Sequence, residues 1–255
     1  MTTSYGAYPS QIIHRWDPED PEDPGDPEDP GDPEGAEGPA PVAVLLHGGW
    51  WRDLHDAHLM DPIAHDLAAT GWAVWNIEYR RTGEDGGGWP QTRDDVARAL
   101  DLLAATADRD PGLDASRVVS IGHSAGGHLA LMTAAESLVT SVVAIAPITD
   151  LRRCAEAELG EGAVAPFLGP DPAPALYSES SPLHRLPLGL PQLVVHGDVD
   201  QRVPVQHSRD YVAAAAAAGD PVDYREVPGI DHFAVIDPER AAWREVRDTL
   251  AHGWG

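Results

Sequence analysis

The chain has 255 residues, 42% of them hydrophobic, and a formal net charge of −25. This length and composition suffice for one large α/β domain with a sizeable core, or for two small domains. Such an acidic chain argues against binding of nucleic acid or an anionic membrane through bulk electrostatics. The sequence contains no apolar run of about eighteen residues, and its start, MTTSYGAYPSQ, lacks the pattern of a signal peptide.

The cysteine content points to a reducing compartment, which we expect to be the cytoplasm. Cys154 is the single cysteine, so an internal disulfide is excluded and a packed small residue is the simplest interpretation. The histidines, Cys154 and carboxylates show no convincing metal-ligand spacing, so the sequence predicts neither a metal nor another cofactor. A homodimer is left open as an assembly.

Short β-branched runs alternate with helical patterns along most of the chain. Apolar strands that are each followed by a helix predict a mostly parallel twisted sheet with helices on both faces. The predicted strands cover residues 11–16, 42–47, 72–79, 117–122, 141–147, 192–197 and 222–227. The predicted helices cover residues 56–70, 92–107, 125–138, 205–218 and 238–251.

An acidic, proline-rich tract, residues 17–41, separates the first two predicted strands and has a proline at every third position from Pro18 to Pro33. Because it offers nothing apolar to bury, we interpret it as a disordered loop insertion with an extended, polyproline-like backbone. An acidic recognition or solubilising arm is the functional alternative. No helix separates the two strands, so we expect them to pair antiparallel, with the tract as their hairpin loop.

The second predicted strand continues into the sequence LLHGGWWRD. Acyl transfer develops a negative oxygen that two or three backbone N–H groups can stabilise, and glycines allow the backbone to approach it. We predict that the N–H groups of Gly49 and Trp50 serve as such oxyanion donors. The His47 ring is placed to orient this loop, and Trp51 to pack against it or to line the pocket. A plain strand-to-helix turn is the alternative.

The stretch VVSIGHSAGGHLAL, residues 118–131, matches the G-x-S-x-G nucleophile elbow in the expected setting of strand, sharp turn and helix. Ser124 is therefore the predicted nucleophile, and the N–H of Ala125 is the third predicted oxyanion donor. The pentapeptide alone is a weak signal, and a small residue in a tight turn is the alternative. We expect His123 and His128 to have structural, packing roles.

Residues 149–190 depart from the alternating pattern, since they are rich in Pro, Gly and Ser with scattered apolar residues. We predict that they form a small cap or lid within a single domain that covers residues 1–255. Aromatic and apolar residues close to the predicted site are candidate substrate-binding residues for an aryl or acyl group. They are Trp51, Trp89, Phe167, Leu168 and Tyr177.

A serine hydroxyl needs a base, and the base needs an orienting carboxylate. The sequence HGDVDQRVP follows a predicted strand and supplies Asp200, which we favour over the turn-capping Asp198. His232 follows the last predicted strand and is the predicted base, whereas Asp231 is interpreted as a turn former. A turn cap at Asp200 and an ordinary loop histidine at position 232 are the structural alternatives. The order serine, acid, histidine, each after a strand, is typical of one hydrolase architecture.

These motifs together resemble the α/β-hydrolase superfamily over nearly the whole chain except the acidic tract. HGGWW with GHSAGG resembles the HGGxW and GxSAGG pair of kynurenine formamidases and related small esterases, and HGDVDQRVP is similar to the superfamily's acid loop. The resemblance implies an α/β-hydrolase fold and cofactor-independent hydrolysis through an acyl-enzyme. It also implies the roles of nucleophile for Ser124, acid for Asp200 and base for His232.

The sequence thus predicts a serine hydrolase that acts on a small-molecule carboxylic ester. Hydrolysis of an aryl formamide such as N-formylkynurenine is the nearest alternative, and hydrolysis of small peptides is a more distant one. A catalytically idle scaffold that binds a ligand or a partner is the alternative outside enzymes. The presence of all three triad residues argues against it, because a binding module does not need them.

Overall fold

The computed structural model describes residues 1–18 and 38–252. Its strands are β1 (Thr2–Ser4), β2 (Ile12–Trp16), β3 (Ala40–Leu46), β4 (Ala73–Ile77), β5 (Leu113–His123), β6 (Ser141–Ile145), β7 (Gln192–Gly197) and β8 (Val222–Val227). They form one sheet in the order β1-β2-β4-β3-β5-β6-β7-β8. Strands β3 to β8 are parallel to one another, whereas β2 is antiparallel to both β1 and β4.

Helices connect the parallel strands, as the alternating pattern predicts. The α-helices are α1 (Asp61–Ala68), α2 (Gln91–Ala107), α3 (Ala125–Thr133), α4 (Leu151–Glu156), α5 (Leu159–Gly162), α6 (Val164–Leu168), α7 (Pro174–Glu179), α8 (Gln206–Ala218) and α9 (Ala241–His252). Short 3-10 helices span Ala57–Met60, Ala134–Glu136, Pro182–His184 and Ala234–Ile236. Within the described residues, no helix is long and apolar enough to cross a membrane.

The predicted antiparallel pairing of the first two long strands is wrong. Trp16 of β2 pairs with Val74 of β4, and Ala43 of β3 pairs with the same Val74 from the other side. Strand β4 therefore lies between β2 and β3, and the two strands do not form a hairpin. The intervening tract falls mostly on residues 19–37, which lie outside the described part of the chain.

The core consists of two apolar layers, one on each face of the sheet. Alternate residues of β3 point to opposite faces, so Val44 belongs to one layer and Leu45 to the other. Helices α2, α3 and α8 cover the first layer, and helices α1 and α9 cover the second. Burial on both faces explains why the central strands are apolar throughout rather than alternating.

The carboxyl ends of β3, β5, β7 and β8 lie at the same edge of the sheet because these strands are parallel. The loops that follow them contain Gly49, Ser124, Asp200 and His232. Ligands of open α/β sheets bind at this edge. Residues 149–190 fold as helices α4 to α7 between β6 and β7 and pack against the loop after β3.

Candidate active site

The turn between β5 and α3 holds Ser124 in a strained backbone conformation, with φ 58° and ψ −115°. A residue other than glycine rarely adopts a positive φ, and such strain costs about 1–3 kcal/mol. Close packing of the turn requires glycine at two positions. A Cβ at Gly122 would overlap the carbonyl oxygen of Gly126, and a Cβ at Gly126 would overlap that of Leu46.

The turn also fixes the serine by backbone hydrogen bonds. The N–H of Ser124 donates to the carbonyl of Ile145 in β6 at 2.8 Å, and the Ser124 carbonyl accepts from His128 at 3.1 Å. Ser124 is only 1% exposed. Ser124 lines a narrow cleft, which we call the Ser124 cleft. The lining residues are Gly49, Trp50, Leu54, His55, His123, Ser124, Arg202, His232 and Phe233.

His232 reaches the same cleft and is bonded to Asp200. Its Nδ1 lies 2.6 Å from Oδ2 of Asp200, and the Asp200 side chain is fully buried. Because an ionised carboxylate only accepts hydrogen bonds, Nδ1 carries the proton and Nε2 of the neutral ring holds a lone pair. Within the described part of the chain, the ring has no other hydrogen bond, so Nε2 is available to a serine or a water. Bonds to the nucleophile often tighten only when substrate binds.

Asp200 is held ionised by its neighbours. Its Oδ1 accepts hydrogen bonds from the backbone N–H groups of Arg202 at 2.8 Å and Val203 at 2.9 Å. Burial favours the neutral acid, but hydrogen bonds from His196 and His232 outweigh it and hold the pKa of Asp200 well below its usual range. A permanently charged carboxylate in this position orients the His232 ring and stabilises its protonated form.

His196 is a functional-site residue that the sequence reasoning missed. Its Nε2 lies 3.0 Å from the Val203 carbonyl and 3.2 Å from Oδ2 of Asp200. Both partners are acceptors, so Nε2 carries a proton that it shares between them. Its Nδ1 lies 2.7 Å from the Ser208 hydroxyl. The sequence signal that could have identified His196 is its place in HGDVD. A histidine that ends a buried strand, four residues before an acid, needs a partner for its ring.

Of the two other candidate aspartates, Asp231 forms a turn as predicted, whereas Asp198 links its loop to the loop after β8. Asp198 accepts a hydrogen bond from the Gly229 N–H at 2.6 Å. Asp231 accepts from the N–H groups of Phe233 at 3.0 Å and Ala234 at 2.8 Å. Neither carboxylate is bonded to the His232 ring within the described residues, whereas Asp200 is.

Two of the predicted oxyanion donors, Gly49 and Trp50, lie in the loop after β3 and line the Ser124 cleft, whereas Ala125 is not among the lining residues. Gly49 has φ 121° and Trp50 has φ 57°, which turns the backbone sharply beside Ser124. Among the described residues, the N–H groups of Gly49, Trp50 and Ala125 have no backbone acceptor. Ala125 begins α3, and the first N–H groups of a helix lack intrahelical acceptors. Unpaired donors facing a cleft are the arrangement that a developing oxyanion requires.

A buried polar network braces this loop, and its acid, Glu78, was not identified from the sequence. His47 donates from Nδ1 to the Gly48 carbonyl at 2.7 Å, and its Nε2 lies 3.1 Å from Glu78. The Tyr79 hydroxyl donates to the His47 carbonyl at 2.6 Å, and the two rings stack at 4.3 Å. The prediction that His47 orients the loop is therefore confirmed by its contacts.

His123 and His128 have the structural contacts that we expected. His123 donates from Nε2 to the backbone carbonyl of His232 at 2.8 Å and so supports the loop that carries the base. Burial lowers the pKa of His123 well below its ordinary value, and the nearby His232 acts in the same direction. His128 bonds through Nε2 to the Ser180 carbonyl, and burial lowers its pKa to about 4. Both rings are therefore neutral.

The predicted substrate-binding residues do not line the Ser124 cleft. Trp51 and Phe167 are buried and stack on each other at 4.2 Å, and Trp89 packs edge-on to Phe167. Leu168 and Tyr177 also pack on this core cluster. The reason is that α6 folds down onto the loop after β3, so these aromatics join the helix to the loop instead of facing the cleft. Trp50, Leu54, His55, Arg202 and Phe233 occupy the cleft wall instead.

Within the described residues, no three His, Cys, Asp or Glu side chains cluster in a way that could hold a metal ion. Cys154 is buried beside His207, with its Sγ 3.7 Å from the ring nitrogen, and burial raises the pKa of its thiol to about 12. This thiol lies among the packed residues of α4 and α8, away from the loops that carry Ser124 and His232.

Comparison with known proteins gives matches to esterases. A family model described as BD-FAE matches residues 31–141, which is less than half of the chain. Esterase LipC of Mycobacterium tuberculosis is 28% identical over 92% of this chain and 60% of its own length. The probable carboxylic ester hydrolase LipM of the same organism is 29% identical over 80% of this chain and 52% of its own length. The chain thus spans between half and two thirds of these relatives.

Among solved structures, Thermogutta terrifontis esterase 2 phosphonylated by sarin superposes with a TM-score of 0.76. The match covers all of this chain and 95% of that chain at 19% sequence identity, so it shows the fold alone. The mostly parallel sheet with helices on both faces agrees with that match. The chain therefore has an α/β-hydrolase fold.

Proposed function

We propose that this protein is a carboxylic ester hydrolase that uses Ser124 as nucleophile, His232 as general base and Asp200 as the orienting acid. The observation that carries the proposal is the pairing of the Asp200–His232 hydrogen bond with a strained serine in the same cleft. The esterase relatives support the reaction class.

The first half of the reaction forms an acyl-enzyme. His232 takes the proton from the Ser124 hydroxyl through Nε2 while the oxygen attacks the ester carbonyl. The N–H groups of Gly49, Trp50 and Ala125 stabilise the resulting oxyanion. Asp200 stabilises the protonated ring, which then passes its proton to the departing alcohol.

The second half releases the acid. Water gives a proton to Nε2 of His232 as it attacks the acyl carbonyl, and the same three N–H groups stabilise the second oxyanion. The bond to Ser124 Oγ breaks, the oxygen regains the proton from His232, and a carboxylic acid leaves. The cycle restores the resting state and consumes one water for each ester bond.

A substrate panel with a Ser124→Ala control tests the proposal. The panel compares kcat/KM for p-nitrophenyl acetate, N-formylkynurenine and an aminoacyl anilide with the purified full chain. We expect the ester to be the best substrate and Ser124→Ala to lower its turnover at least about a thousandfold, because the nucleophile acts only together with its base.

Two outcomes would contradict it. A large preference for the formyl amide would replace the ester with an aryl formamide as the substrate class, as the HGGWW and GHSAGG motifs suggest. Turnover that survives Ser124→Ala, or no turnover of any of the three, would favour a scaffold whose triad is idle.

A further inference from the structure

The Ser124 cleft contains one permanent charge. Among the described residues that line it, Arg202 is charged at neutral pH, while the others are apolar, histidine, serine or glycine. Asp200, the nearest carboxylate of the triad, has a fully buried side chain behind His232. The cleft is therefore locally cationic in a chain whose formal net charge is −25.

Arg202 also lines the two clefts that adjoin the Ser124 cleft. One of them is lined further by Trp50, Leu54 and Arg52, and the other by Val199, Gln201 and Phe233. Arg202 is therefore a wall residue that the Ser124 cleft shares with both neighbouring clefts. Leu54 and Val199 are exposed apolar side chains at the same mouth.

The guanidinium is held in position but its charge is not neutralised. Its Cζ lies over the Phe233 ring, 5.0 Å from the centroid, and this cation–π contact uses none of its N–H groups. Eleven arginines of the chain lie within 4 Å of a carboxylate oxygen in the described residues, and Arg202 is not among them. Its side chain donates no hydrogen bond within that part of the chain.

The carboxylates of the adjoining clefts are already engaged or lie on the outer wall. Asp231 accepts two backbone N–H bonds, and Glu161 lies 4.0 Å from Arg52. Asp53 lines the adjoining cleft that contains Trp50 and Arg52, and His232 does not line that cleft. In the Ser124 cleft itself, the charged side chain available to an anion is that of Arg202. Burial, followed by His47 and Arg202, lowers the pKa of His55 on the opposite wall, which keeps that ring neutral.

We propose that Arg202 binds a second, ionised carboxylate on the substrate, so that the enzyme prefers esters carrying a free carboxylate a few atoms from the scissile bond. This inference rests on the proposed ester hydrolysis at Ser124. A guanidinium presents paired N–H donors that match a carboxylate, and the contact with Phe233 holds it beside the cleft. Because Arg202 and Ser124 line the same cleft, the carboxylate must lie a few atoms from the ester.

The carboxylate can belong to the acyl part or to the alcohol part, and matched substrate pairs separate the two. Monoethyl adipate and ethyl hexanoate differ by a carboxylate in place of a methyl group on the acyl side. The meta-acetoxybenzoate ion and meta-tolyl acetate differ in the same way on the leaving-group side. The measured quantity is the ratio of kcat/KM for the charged ester to that for its neutral partner.

We expect at least one pair to show a ratio above one in the wild type. Arg202→Gln should lower that ratio about fivefold, the size expected for one partly exposed charge pair, and Arg202→Lys should keep part of it. Added salt should lower the wild-type ratio as well, because it screens the attraction. The control variant is Arg225→Gln, at the exposed position of β8 and outside the cleft. It removes the same formal charge and should leave the ratio unchanged.

The inference is overturned if both ratios are at or below one, or if Arg202→Gln and Arg225→Gln change them equally. Failure of the proposed function looks different, since the neutral esters would then not be hydrolysed in a Ser124-dependent way. Arg202→Gln keeps the backbone N–H that donates a hydrogen bond to Asp200, so the substitution removes only the side-chain charge. A thermal melt of each variant shows that the fold is intact.

Discussion

At the scale of single residues, the site depends on one serine whose backbone is strained and one carboxylate whose charge is fixed. Ser124 has a positive φ in the sharp turn of the elbow, and it lines the same cleft as His232. The four donors around Asp200 hold it ionised, and two of them are histidine rings. A strained backbone and a buried charge each lower the free energy of unfolding, and the surrounding hydrogen bonds and packing offset that loss.

Asp200→Asn should lower kcat by about a thousandfold to ten-thousandfold with little effect on KM. An amide NH2 in place of Oδ2 would donate to Nδ1 of His232 and move the ring proton to Nε2, which removes the lone pair that the base needs. In the flipped orientation the NH2 would face the N–H groups of Arg202 and Val203, which need an acceptor. Steady-state kinetics on p-nitrophenyl acetate measures this.

Asp198→Asn is the matched control, two residues away in the same loop. Its carboxylate accepts a bond from the Gly229 N–H and does not touch His232, so we expect kcat within about threefold of the wild type. If Asp200→Asn were as active as Asp198→Asn, Asp200 would not be the orienting acid.

At the scale of elements, the site is built where two loops and one helix pack with no space for side chains. The first turn of α3 touches the end of β3, so that Ser124, Ala125 and the loop carrying Gly49 lie together. Gly126 lies at the closest point, where any Cβ would overlap the backbone oxygens of Leu46 and His47. Glycine packing thus positions the predicted oxyanion donors.

Gly126→Ala should therefore destabilise the protein by about 3 kcal/mol or more and lower turnover, because the elbow must move away from β3. Chemical denaturation with an ester assay measures both effects. Gly112→Ala is the control, since a Cβ there would meet only the flexible Asp110 side chain. Equal stability of the two variants would show that the elbow tolerates a side chain.

Most strands and helices could be predicted because each has a local signal. The sequence also selected Ser124, Asp200 and His232, which the fold brings together: Ser124 and His232 line one cleft, and His232 is bonded to Asp200. Residues 192–197 and 222–227 match β7 and β8 residue for residue, and the helix at residues 92–107 starts one residue late against α2. Strand order has no such signal. The register that inserts β4 between β2 and β3 depends on which edges meet in three dimensions, and this is why the hairpin prediction is wrong.

The wall of the cleft was also beyond local patterns. An aromatic residue near a motif can face a pocket or the core, and Trp51 and Phe167 face the core. His196 and Glu78 support the site through side-chain partners 4 and 31 residues away in sequence. The histidine in HGDVD is a sequence signal for His196, whereas the partnership of Glu78 with His47 becomes visible only when the fold has brought the ends of β3 and β4 together.

At the scale of the whole molecule, the described residues that flank the acidic tract lie away from the Ser124 cleft. The residues that flank it end β2 and begin β3, on either side of β4. Trp16 and Ala43 both pair with Val74, which places these strands about 10 Å apart. The Ser124 cleft lies at the other end of β3, beyond Leu46.

Replacing residues 19–37 with a six-residue Gly/Ser linker should leave the fold and the hydrolysis of a neutral ester within about twofold of the wild type, since a short linker spans this distance. The segment holds ten of the 42 acidic residues and no basic one. A same-length variant with Asn and Gln in place of these acids separates charge from length. Loss of more than about tenfold in kcat/KM would show that the tract contributes to catalysis or folding.

The central claim is that Ser124 is a nucleophile activated by His232, and covalent mapping tests it most directly. The full chain is treated with a fluorophosphonate, and intact mass and peptide mass spectrometry locate the adduct. The account predicts one adduct per chain, on Ser124, absent in Ser124→Ala and formed far more slowly in His232→Ala. An adduct on another residue, or an unmodified protein that still hydrolyses the ester, would contradict it.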